Sequence, residues 1–389
     1  MVSYRYLIVG GGMSADAAAR GIRDHDEAGS IGLVGADPEP PYARPPLSKG
    51  LWQGKDEATI WRGTADLGVE LHLGRGITGI DLEGRTAIDD QGESYGWERL
   101  LLATGGRPRR LPSGDGDVVY YRTVADYRRV RAEAREGTHF VVIGGGFIGS
   151  EVAAALFGNG VAVTMVFPEN GIGARLFPPE LAEFVNGYYR EKGVEVLPGE
   201  VVEGIEGGVV RLGSGRTLEA DGIIAGLGIE PAIELAEAAG LPVDDGIVVD
   251  DRGRVGGRAD VFAAGDVARF PAKALGKLIR VEHEDHANTH GRAVGANMAG
   301  ADAPYDHLPF FYSDLFELGY EAVGEVDSRL DNVARWAEPN RKGVISYIDD
   351  GRRPRGFLLW DVWGKVDEAR ALIDAGKPIA DEQFEALLG

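Results

Sequence analysis

The chain has 389 residues, 44% of them hydrophobic and 26% charged, proportions that indicate a globular protein of two or three domains. Its formal net charge of −21 argues against a nucleic-acid partner, because phosphates require neutralisation by lysine and arginine. The absence of cysteine excludes disulfides, thiolate nucleophiles, and cysteine-held zinc or iron–sulfur sites.

The N-terminal segment shows no targeting signal. Residues 6–9 form a short apolar run that leads directly into three glycines, which indicates a first strand and not a signal peptide. No apolar run approaches the roughly 20 residues that a membrane-spanning helix needs. We therefore expect a cytoplasmic protein without a membrane span.

The first half of the chain contains one internal repeat. Residues 6–22, YLIVGGGMSADAAARGI, and residues 140–156, FVVIGGGFIGSEVAAAL, each join a β-rich run, three glycines and an alanine-rich helical stretch. A second strand and then an acidic residue, Asp37 or Glu169, follow each copy. This order predicts two βαβ nucleotide-binding units, because an acid after the second strand binds an adenosine ribose.

The two glycine loops have the spacing that a bound pyrophosphate requires. They comprise Gly10, Gly12 and Ala15 in the first copy and Gly144, Gly146 and Gly149 in the second. The first glycine makes a tight turn, the second admits the phosphates, and the third small residue lets helix and strand pack closely. The positive end of the helix attracts the phosphate charge. Two loops predict two dinucleotides, a tightly held FAD and an exchangeable NAD(P)H that transfers hydride to it.

Later segments continue the alternation of strands and turns. Further strand–turn signals lie at 100–106, 220–231 and 259–268. Beyond about residue 305, the runs 343–348 and 356–363 indicate a hairpin that is followed by a helix at 366–376.

These elements predict an α/β fold. It comprises two Rossmann-like dinucleotide-binding domains, for FAD and NAD, and a smaller α+β C-terminal domain. We expect a discontinuous FAD-binding domain at 1–112 and 237–304, an NAD-binding domain at 113–236 and a C-terminal domain at 305–389.

Several short segments resemble a known family. They are RPPLSK at 44–49, ATG at 103–105, FVVIGGGFIGSE at 140–151, VFPENG at 166–171, AGD at 264–266, RVEHEDHA at 280–287, SDLFELGYEAVGEVDS at 313–328 and GFLLW at 356–360. The chain resembles the FAD/NAD-linked reductases of two-dinucleotide-domain architecture, including the ferredoxin and rubredoxin reductases, and most closely resembles apoptosis-inducing factor. The resemblance covers nearly the whole chain.

The resemblance implies an FAD site. Its residues are Gly10, Gly12, Met13, Ser14, Ala15 and Asp16 of the first loop, with Asp37, Arg44, Lys49, Ile77, Arg109, Asp266, His283 and Glu284. Asp37 would bind the adenine-side ribose, although relatives often carry a glutamate one place earlier, where this chain has Ala36. Asp266 would hydrogen-bond the ribityl chain, cap a following helix, or do both.

The resemblance also implies an NAD site. Its residues are Gly145, Gly146, Phe147, Ile148, Glu169, Arg175, Gly228, Glu282, Tyr312, Glu321 and Asp361. Glu169 would favour NADH by binding the adenosine hydroxyls, whereas Arg175 would accept the 2′-phosphate of NADPH. Tyr312 stands where relatives carry a tryptophan, and its smaller face would weaken any long-lived flavin–nicotinamide complex.

Lys49 and Glu151 are the predicted catalytic pair, with His283 as a third catalytic candidate. A cation beside the reduced flavin would stabilise its negative charge, and a buried lysine needs a partner. The resemblance supplies Glu151 as that partner. The alternative is that Glu151 only complements the dipole in the first turn of its helix. Pro45 and Pro46 would hold the segment before Lys49 rigid.

The run 282–290, EHEDHANTH, offers a different interpretation. His283, His286 and His290 lie at positions that one helical face would collect, as in a metal site. The spacing differs from His-Glu-x-x-His, and the resemblance places the first three residues of the run against flavin and nicotinamide. We therefore predict no metal site.

The expected function is that of an FAD-dependent NADH oxidoreductase. Its electrons would pass to an external acceptor, which would be a ferredoxin, a rubredoxin, a quinone or oxygen, because a chain without cysteine has no dithiol relay. The alternative is a slow redox sensor that holds reduced FAD against NAD⁺ and, in that state, forms a homodimer or recruits a partner. The long C-terminal insertion and the targeting N-terminus of the animal proteins are absent, so we expect no signalling role that depends on them.

Overall fold

The computed structural model describes residues 1–112 and 118–389. The chain forms two compact units. The first unit comprises 1–43, 57–107 and 230–309, and the second comprises 44–56, 108–229 and 310–389. The division into three domains stays a prediction, and its boundary at residue 113 lies outside the described residues.

The strands and helices follow in chain order. The strands are β1 (Val2–Val9), β2 (Ile31–Gly35), β3 (Val69–Leu73), β4 (Ile77–Asp81), β5 (Thr86–Asp89), β6 (Ser94–Leu102), β7 (Gly106–Pro108), β8 (Val118–Tyr120), β9 (His139–Ile143), β10 (Ala162–Phe167), β11 (Glu195–Pro198), β12 (Val202–Glu206), β13 (Val209–Leu212), β14 (Thr217–Glu219), β15 (Gly222–Ala225), β16 (Ile229–Pro231), β17 (Ile247–Val248), β18 (Val261–Ala263), β19 (Ala268–Ala272), β20 (Lys277–Ile279), β21 (Phe310–Leu315), β22 (Leu318–Gly324), β23 (Asp331–Glu338), β24 (Lys342–Ile348) and β25 (Pro354–Trp360). The helices are α1 (Met13–Arg23), α2 (Val124–Glu133), α3 (Phe147–Gly158), α4 (Pro179–Lys192), α5 (Glu234–Ala238), α6 (Glu284–Met298), α7 (Val366–Ala375) and α8 (Asp381–Leu388).

The first unit is built on a seven-stranded sheet. Its order is β3-β2-β1-β6-β5-β4, with β18 beside β6; β4 and β5 are antiparallel to their neighbours and the other pairs are parallel. A small sheet, β17-β19-β20, completes the unit. Helices α1 and α6 approach so closely that a Cβ on Gly295 would lie 2.0 Å from the Ala18 carbonyl oxygen. The alanine-rich sequence of α1 permits this contact, because small side chains let helix backbones approach.

The second unit contains two sheets of five strands and a three-stranded meander. The parallel sheet has the order β11-β10-β9-β15-β8, and the meander β12-β13-β14 follows β11 along the chain. The antiparallel sheet has the order β21-β22-β25-β24-β23 and packs against α7. Its core holds fully buried aromatic side chains, among them Tyr347, Phe357 and Trp360.

The predicted fold class is confirmed. Each unit contains a strand, a glycine turn and a helix in succession, β1 to α1 in the first unit and β9 to α3 in the second, the arrangement of a Rossmann-like dinucleotide-binding fold. The predicted C-terminal hairpin corresponds to β24 and β25, and the helix after it is α7. Strands β21 to β23 of the same sheet were not predicted. Among the described residues, none of the helices has the length and apolar character needed to cross a bilayer.

Candidate active site

The first glycine loop forms an open helix N-terminus in the first unit. Gly10 has a φ of +126°, and a Cβ there would lie 2.2 Å from the Ala103 carbonyl oxygen, so only glycine fits. Gly12 is the N-cap of α1, and no side chain caps that end. The first backbone N–H groups of the helix therefore lack intrahelical partners and suit a phosphate. These residues fit the pyrophosphate of FAD.

The second glycine loop repeats this arrangement in the second unit. Gly144 has a φ of +115°, and a Cβ on Gly149 would lie 2.0 Å from the Gly144 carbonyl oxygen. Gly146 is the N-cap of α3, without a side-chain cap, and a Cβ there would meet nothing within 4 Å. A side chain at Gly144 or Gly149 would therefore strain the backbone, whereas Gly146 leaves space in front of the helix. That space fits the pyrophosphate of NAD(H).

The two acidic residues lie after the second strand of each Rossmann-like fold. Asp37 follows β2, and its carboxylate accepts hydrogen bonds from the Glu39 backbone N–H (3.1 Å) and the Tyr42 hydroxyl (3.1 Å). Glu169 follows β10, and its carboxylate pairs with the Arg175 guanidinium at 2.9 Å. Arg175 is 83% exposed, so solvent reaches the charges of this pair beyond the C-terminal end of β10.

Asp16 holds its own helix in place. Its fully buried carboxylate accepts hydrogen bonds from Arg20 (2.9 Å), Arg62 (2.6 Å) and Thr64 (2.7 Å). Burial alone would raise the pKa of Asp16, but these three donors outweigh burial and lower it. The neighbouring loop residues Met13, Ser14 and Ala15 are also buried. A role for the Asp16 side chain at FAD stays a prediction.

The structure brings Lys49 and Glu151 together. The ammonium group donates to one carboxylate oxygen, and the two side chains are 13% and 7% exposed. The more exposed carboxylate of Asp314 lies 3.8 Å from the same ammonium group, and the ring centroid of Tyr312 lies 5.1 Å from it. Glu151 is the fifth residue of α3, beyond its first turn, so the dipole alternative loses its support. The catalytic role of the pair stays a prediction.

The segment around the two prolines is pinned on both sides of Lys49. Residues 45–48 form one 3₁₀ turn, and the Leu47 carbonyl accepts from the Trp52 indole (2.9 Å) and the Tyr121 hydroxyl. The Arg131 guanidinium lies over the Trp52 ring at 5.4 Å. Arg44, predicted to contact FAD, is the N-cap of this turn. These contacts therefore fix the backbone of Lys49 within the second unit.

The predicted flavin residues of the first unit lie on separate elements. Asp266 belongs to a short 3₁₀ turn that leads into strand β19, so the alternative that it caps a following α-helix is wrong. Its carbonyl accepts from Arg280 at 3.3 Å. Ile77 begins β4 and packs against the core of the unit. Glu284 is the first residue of α6.

Two of the three histidines of the run 282–290 lie within helix α6, and the third precedes it. His283 is the N-cap of α6, and burial lowers its pKa to about 4. His286 and His290 lie inside the helix, fully buried, with ring centroids 4.6 Å apart. Burial lowers the pKa of His290 to about 3, and that of His286 falls well below its usual range. No group of three potential metal ligands occurs among the described residues.

The predicted NAD residues surround the second loop or occupy the C-terminal sheet. The Gly145 carbonyl accepts from Gly173 (2.8 Å), and that of Gly228 accepts from the Arg109 backbone N–H (2.9 Å). Phe147 contacts Phe311 edge-on at 5.2 Å. Ile148, in the first turn of α3, is 36% exposed.

The other members of this set lie farther along the chain. The Glu321 carboxylate accepts from the Gly364 backbone N–H at 2.8 Å. Asp361 follows β25 with a φ of +51°, a conformation that is uncommon for residues other than glycine. Glu282 pairs with Arg280 at 2.7 Å and belongs to the first unit. The roles of these residues at NAD(H) stay predictions.

Two hydroxyl groups beside Glu151 were not predicted from the sequence. Ser48 and Ser313 each donate to its carboxylate at 2.6 Å. Ser48 lies inside the RPPLSK segment, so its position next to Lys49 was a usable signal. Ser313 gave none, because its approach to Glu151 depends on the antiparallel sheet.

Two uncapped helix N-termini, each in a Rossmann-like fold and each suited to a dinucleotide pyrophosphate, define an oxidoreductase that uses FAD and NAD(H). Residues 4–291 match the family model described as pyridine nucleotide-disulphide oxidoreductase. Residues 294–342 match the one described as apoptosis-inducing factor, mitochondrion-associated, C-term. The chain therefore belongs to the pyridine nucleotide-disulphide oxidoreductase family. Since the sequence contains no cysteine, membership does not bring disulphide chemistry with it.

Individual relatives include both types of protein suggested by the sequence. The chain is 33% identical to mitochondrial apoptosis-inducing factor 1 of Dictyostelium discoideum, over 97% of this chain and 80% of that protein. It is 35% identical to the ferredoxin–NAD(+) reductase component of the Burkholderia cepacia anthranilate 1,2-dioxygenase system, over 95% and 94%. Among solved structures, the putidaredoxin reductase–putidaredoxin complex matches with a TM-score of 0.91 at 30% identity, over 100% of this chain and 96% of that one. The expected family resemblance is confirmed.

Proposed function

We propose that this protein is an NADH oxidoreductase whose FAD passes electrons to an acceptor outside the chain, with a ferredoxin-type protein as the first candidate. The observation that carries the proposal is the pair of open helix N-termini at Gly12 and Gly146 in a chain without cysteine. Two dinucleotides fit, and no internal dithiol is available to receive the electrons.

FAD supplies the redox chemistry when bound, because it takes a hydride from NADH and releases the electrons to an acceptor. In this proposal the residues of the chain bind and orient the two nucleotides. Lys49 contributes a fixed positive charge that favours the reduced, negatively charged cofactor. Glu151 holds the ammonium group in place, and its negative charge offsets the cost of burying that group.

The acceptor is assigned from the relatives and not from the geometry. One relative is named as the ferredoxin reductase component of a dioxygenase system, and one solved relative is a reductase bound to putidaredoxin. A rubredoxin, a quinone and oxygen are the other acceptors to be compared. The net charge of −21 disfavours a strongly acidic partner unless a local basic patch receives it.

A slow redox sensor is the second candidate function. It is favoured by the match of residues 294–342 to the apoptosis-inducing factor C-terminal model. In that role the protein would hold reduced FAD against NAD⁺ for minutes and change its partner or form a homodimer in that state. Tyr312, half-buried beside Lys49, is the aromatic residue available to stack in such a complex.

Anaerobic stopped-flow reduction by NADH, followed by admission of air, separates the two functions. The reductase predicts rapid bleaching of the flavin band, rapid return in air and high turnover with a ferredoxin. The sensor predicts a long-wavelength charge-transfer band that lasts many minutes.

Lys49→Met tests the catalytic pair, with Lys365→Met as the control, since Lys365 is a lysine of the same unit that pairs with Glu368. Lys49→Met should slow flavin reduction and lower the flavin potential while FAD stays bound. Reduction by Lys49→Met at the wild-type rate would remove Lys49 from the mechanism.

A further inference from the structure

Glu151 receives more hydrogen bonds than its pairing with Lys49 requires. One carboxylate oxygen accepts from the Ser48 hydroxyl at 2.6 Å, and the other accepts from Lys49 and from the Ser313 hydroxyl at 2.6 Å. All four residues belong to the second unit. An ionised carboxylate only accepts hydrogen bonds, so both serine hydroxyls must donate.

Ser313 lies on a fixed strand beside a buried aromatic residue. Ser313 on β21 and Tyr320 on β22 are directly opposite in the antiparallel ladder, so their side chains lie on the same face of the sheet. Burial, with a further contribution from the charge of Glu151, raises the pKa of Tyr320 well above its usual value. Tyr320 is therefore a neutral residue beside Ser313, and the charge that Ser313 meets is that of Glu151.

Aromatic packing holds Tyr320 in place. The Tyr320 ring stacks on Trp360, with centroids 5.9 Å apart and planes 17° apart, and Phe177 contacts it edge-on at 5.2 Å. Ser48 and Lys49 belong to the 3₁₀ turn that begins with the two prolines, Ser48 as its last residue and Lys49 as its C-cap. The Glu151 carboxylate thus receives fixed donors from two rigid parts of the unit, which limits its rotation.

We propose that Ser313 is a positioning residue that, with Ser48, fixes the Glu151 carboxylate and thereby the direction of the Lys49 ammonium group. This inference rests on the proposed function of Lys49. Lys49 has three N–H groups, and a fixed carboxylate takes one of them in a constant direction. The other two then point in constant directions as well, and the charge needs no rearrangement when the cofactor is reduced.

The test compares four variants with the wild-type holoenzyme: Ser313→Ala, Ser48→Ala, Lys49→Met and Ser346→Ala. Ser346 is the matched control, because it is also fully buried in the antiparallel sheet, yet its hydroxyl has no hydrogen-bond partner among the described residues. Ser48→Ala removes the donor to the other carboxylate oxygen of Glu151. The measurements are the anaerobic rate of flavin reduction by NADH and the flavin potential, with bound FAD and thermal unfolding as checks.

Ser313→Ala and Ser48→Ala should retain FAD and lower the flavin potential in the same direction as Lys49→Met. Ser313→Ala should slow reduction by about tenfold, because it removes one fixed donor to the carboxylate that orients Lys49. Ser346→Ala should behave as wild type. A purely structural role would lower the unfolding temperature and leave the potential unchanged.

Wild-type rates and potentials in both Ser313→Ala and Ser48→Ala, beside a slow Lys49→Met, would overturn the positioning role and leave the proposed function standing. A Lys49→Met variant as fast as wild type would overturn the proposed role of Lys49 and the inference with it. If Ser313→Ala does not fold, the potential of Ser48→Ala is the deciding measurement, and an unchanged potential in that variant refutes the inference.

Discussion

Gly146, Gly149 and Gly158, at the N-cap of helix α3 or within it, should respond very differently to substitution by alanine. A Cβ on Gly149 would lie 2.0 Å from the Gly144 carbonyl oxygen, where contacts below 3.0 Å essentially never occur. The backbone would have to move by about 1 Å, so Gly149→Ala should cost about 3 kcal/mol of stability, near the upper end of overpacking costs. Gly146→Ala meets nothing within 4 Å and has an ordinary φ of −85°, so it should cost about 1 kcal/mol or less.

The substitution that costs little stability, Gly146→Ala, should be the one that weakens NADH binding. Gly146→Ala places a methyl group in the space assigned to the NADH pyrophosphate, and should weaken NADH binding by about tenfold or more while FAD stays bound. Gly158→Ala is the control, because it lies at the exposed end of the same helix with open space around it. It should raise stability by about 0.5–1 kcal/mol and leave NADH binding unchanged.

The assay is the dependence of the anaerobic flavin-reduction rate on NADH concentration, together with thermal unfolding of each holoenzyme. Wild-type NADH affinity in a folded Gly146→Ala protein would refute the assignment of this loop to the NADH pyrophosphate. An unperturbed unfolding temperature in Gly149→Ala would refute the packing argument.

Three further predictions concern buried and charged groups. Ser313→Ala should destabilise the protein by about 1.5–3 kcal/mol, because it removes a donor to a buried carboxylate, whereas Ser346→Ala should be neutral or stabilising in the same denaturant titration. Burial lowers the pKa of His290 to about 3 in the folded protein, so this residue alone makes stability fall by about 1.4 kcal/mol for each pH unit between about pH 6.5 and about pH 3, in addition to the losses that buried His283 and His286 cause; His290→Gln should reduce the slope by that amount, and an unchanged slope would contradict the assignment. Glu169→Ala should free Arg175 and raise the ratio of kcat/KM for NADPH over NADH by about tenfold; an unchanged ratio would show that this pair does not select the nucleotide.

Local sequence patterns were sufficient for the two Rossmann-like folds. Strand, glycine turn, alanine-rich helix and trailing acid all fall within short stretches, and the constraints on Gly10 and Gly144 are those of a left-handed backbone conformation that the pattern itself requires. The C-terminal hairpin was predictable for the same reason, because the polar segment between β24 and β25 carries a turn signal.

The surroundings of Glu151 were not predictable from local patterns. Its donors come from residues 48 and 313, which are 103 and 162 positions away in the chain. Family resemblance suggested Lys49 as the partner, but no periodicity points to a serine on a strand as a ligand of a distant carboxylate. The spacing of the histidine run allowed one helical face, but helix α6 begins after His283, which is its N-cap.

NADH should reduce the FAD that this chain binds. An anaerobic titration of the FAD-loaded wild-type protein with NADH, followed by the flavin absorption band, measures that reduction directly. About one equivalent of NADH should bleach the band completely, since hydride transfer moves two electrons to one flavin. A band that persists with excess NADH, yet bleaches with dithionite, would show that NADH does not reduce this flavin.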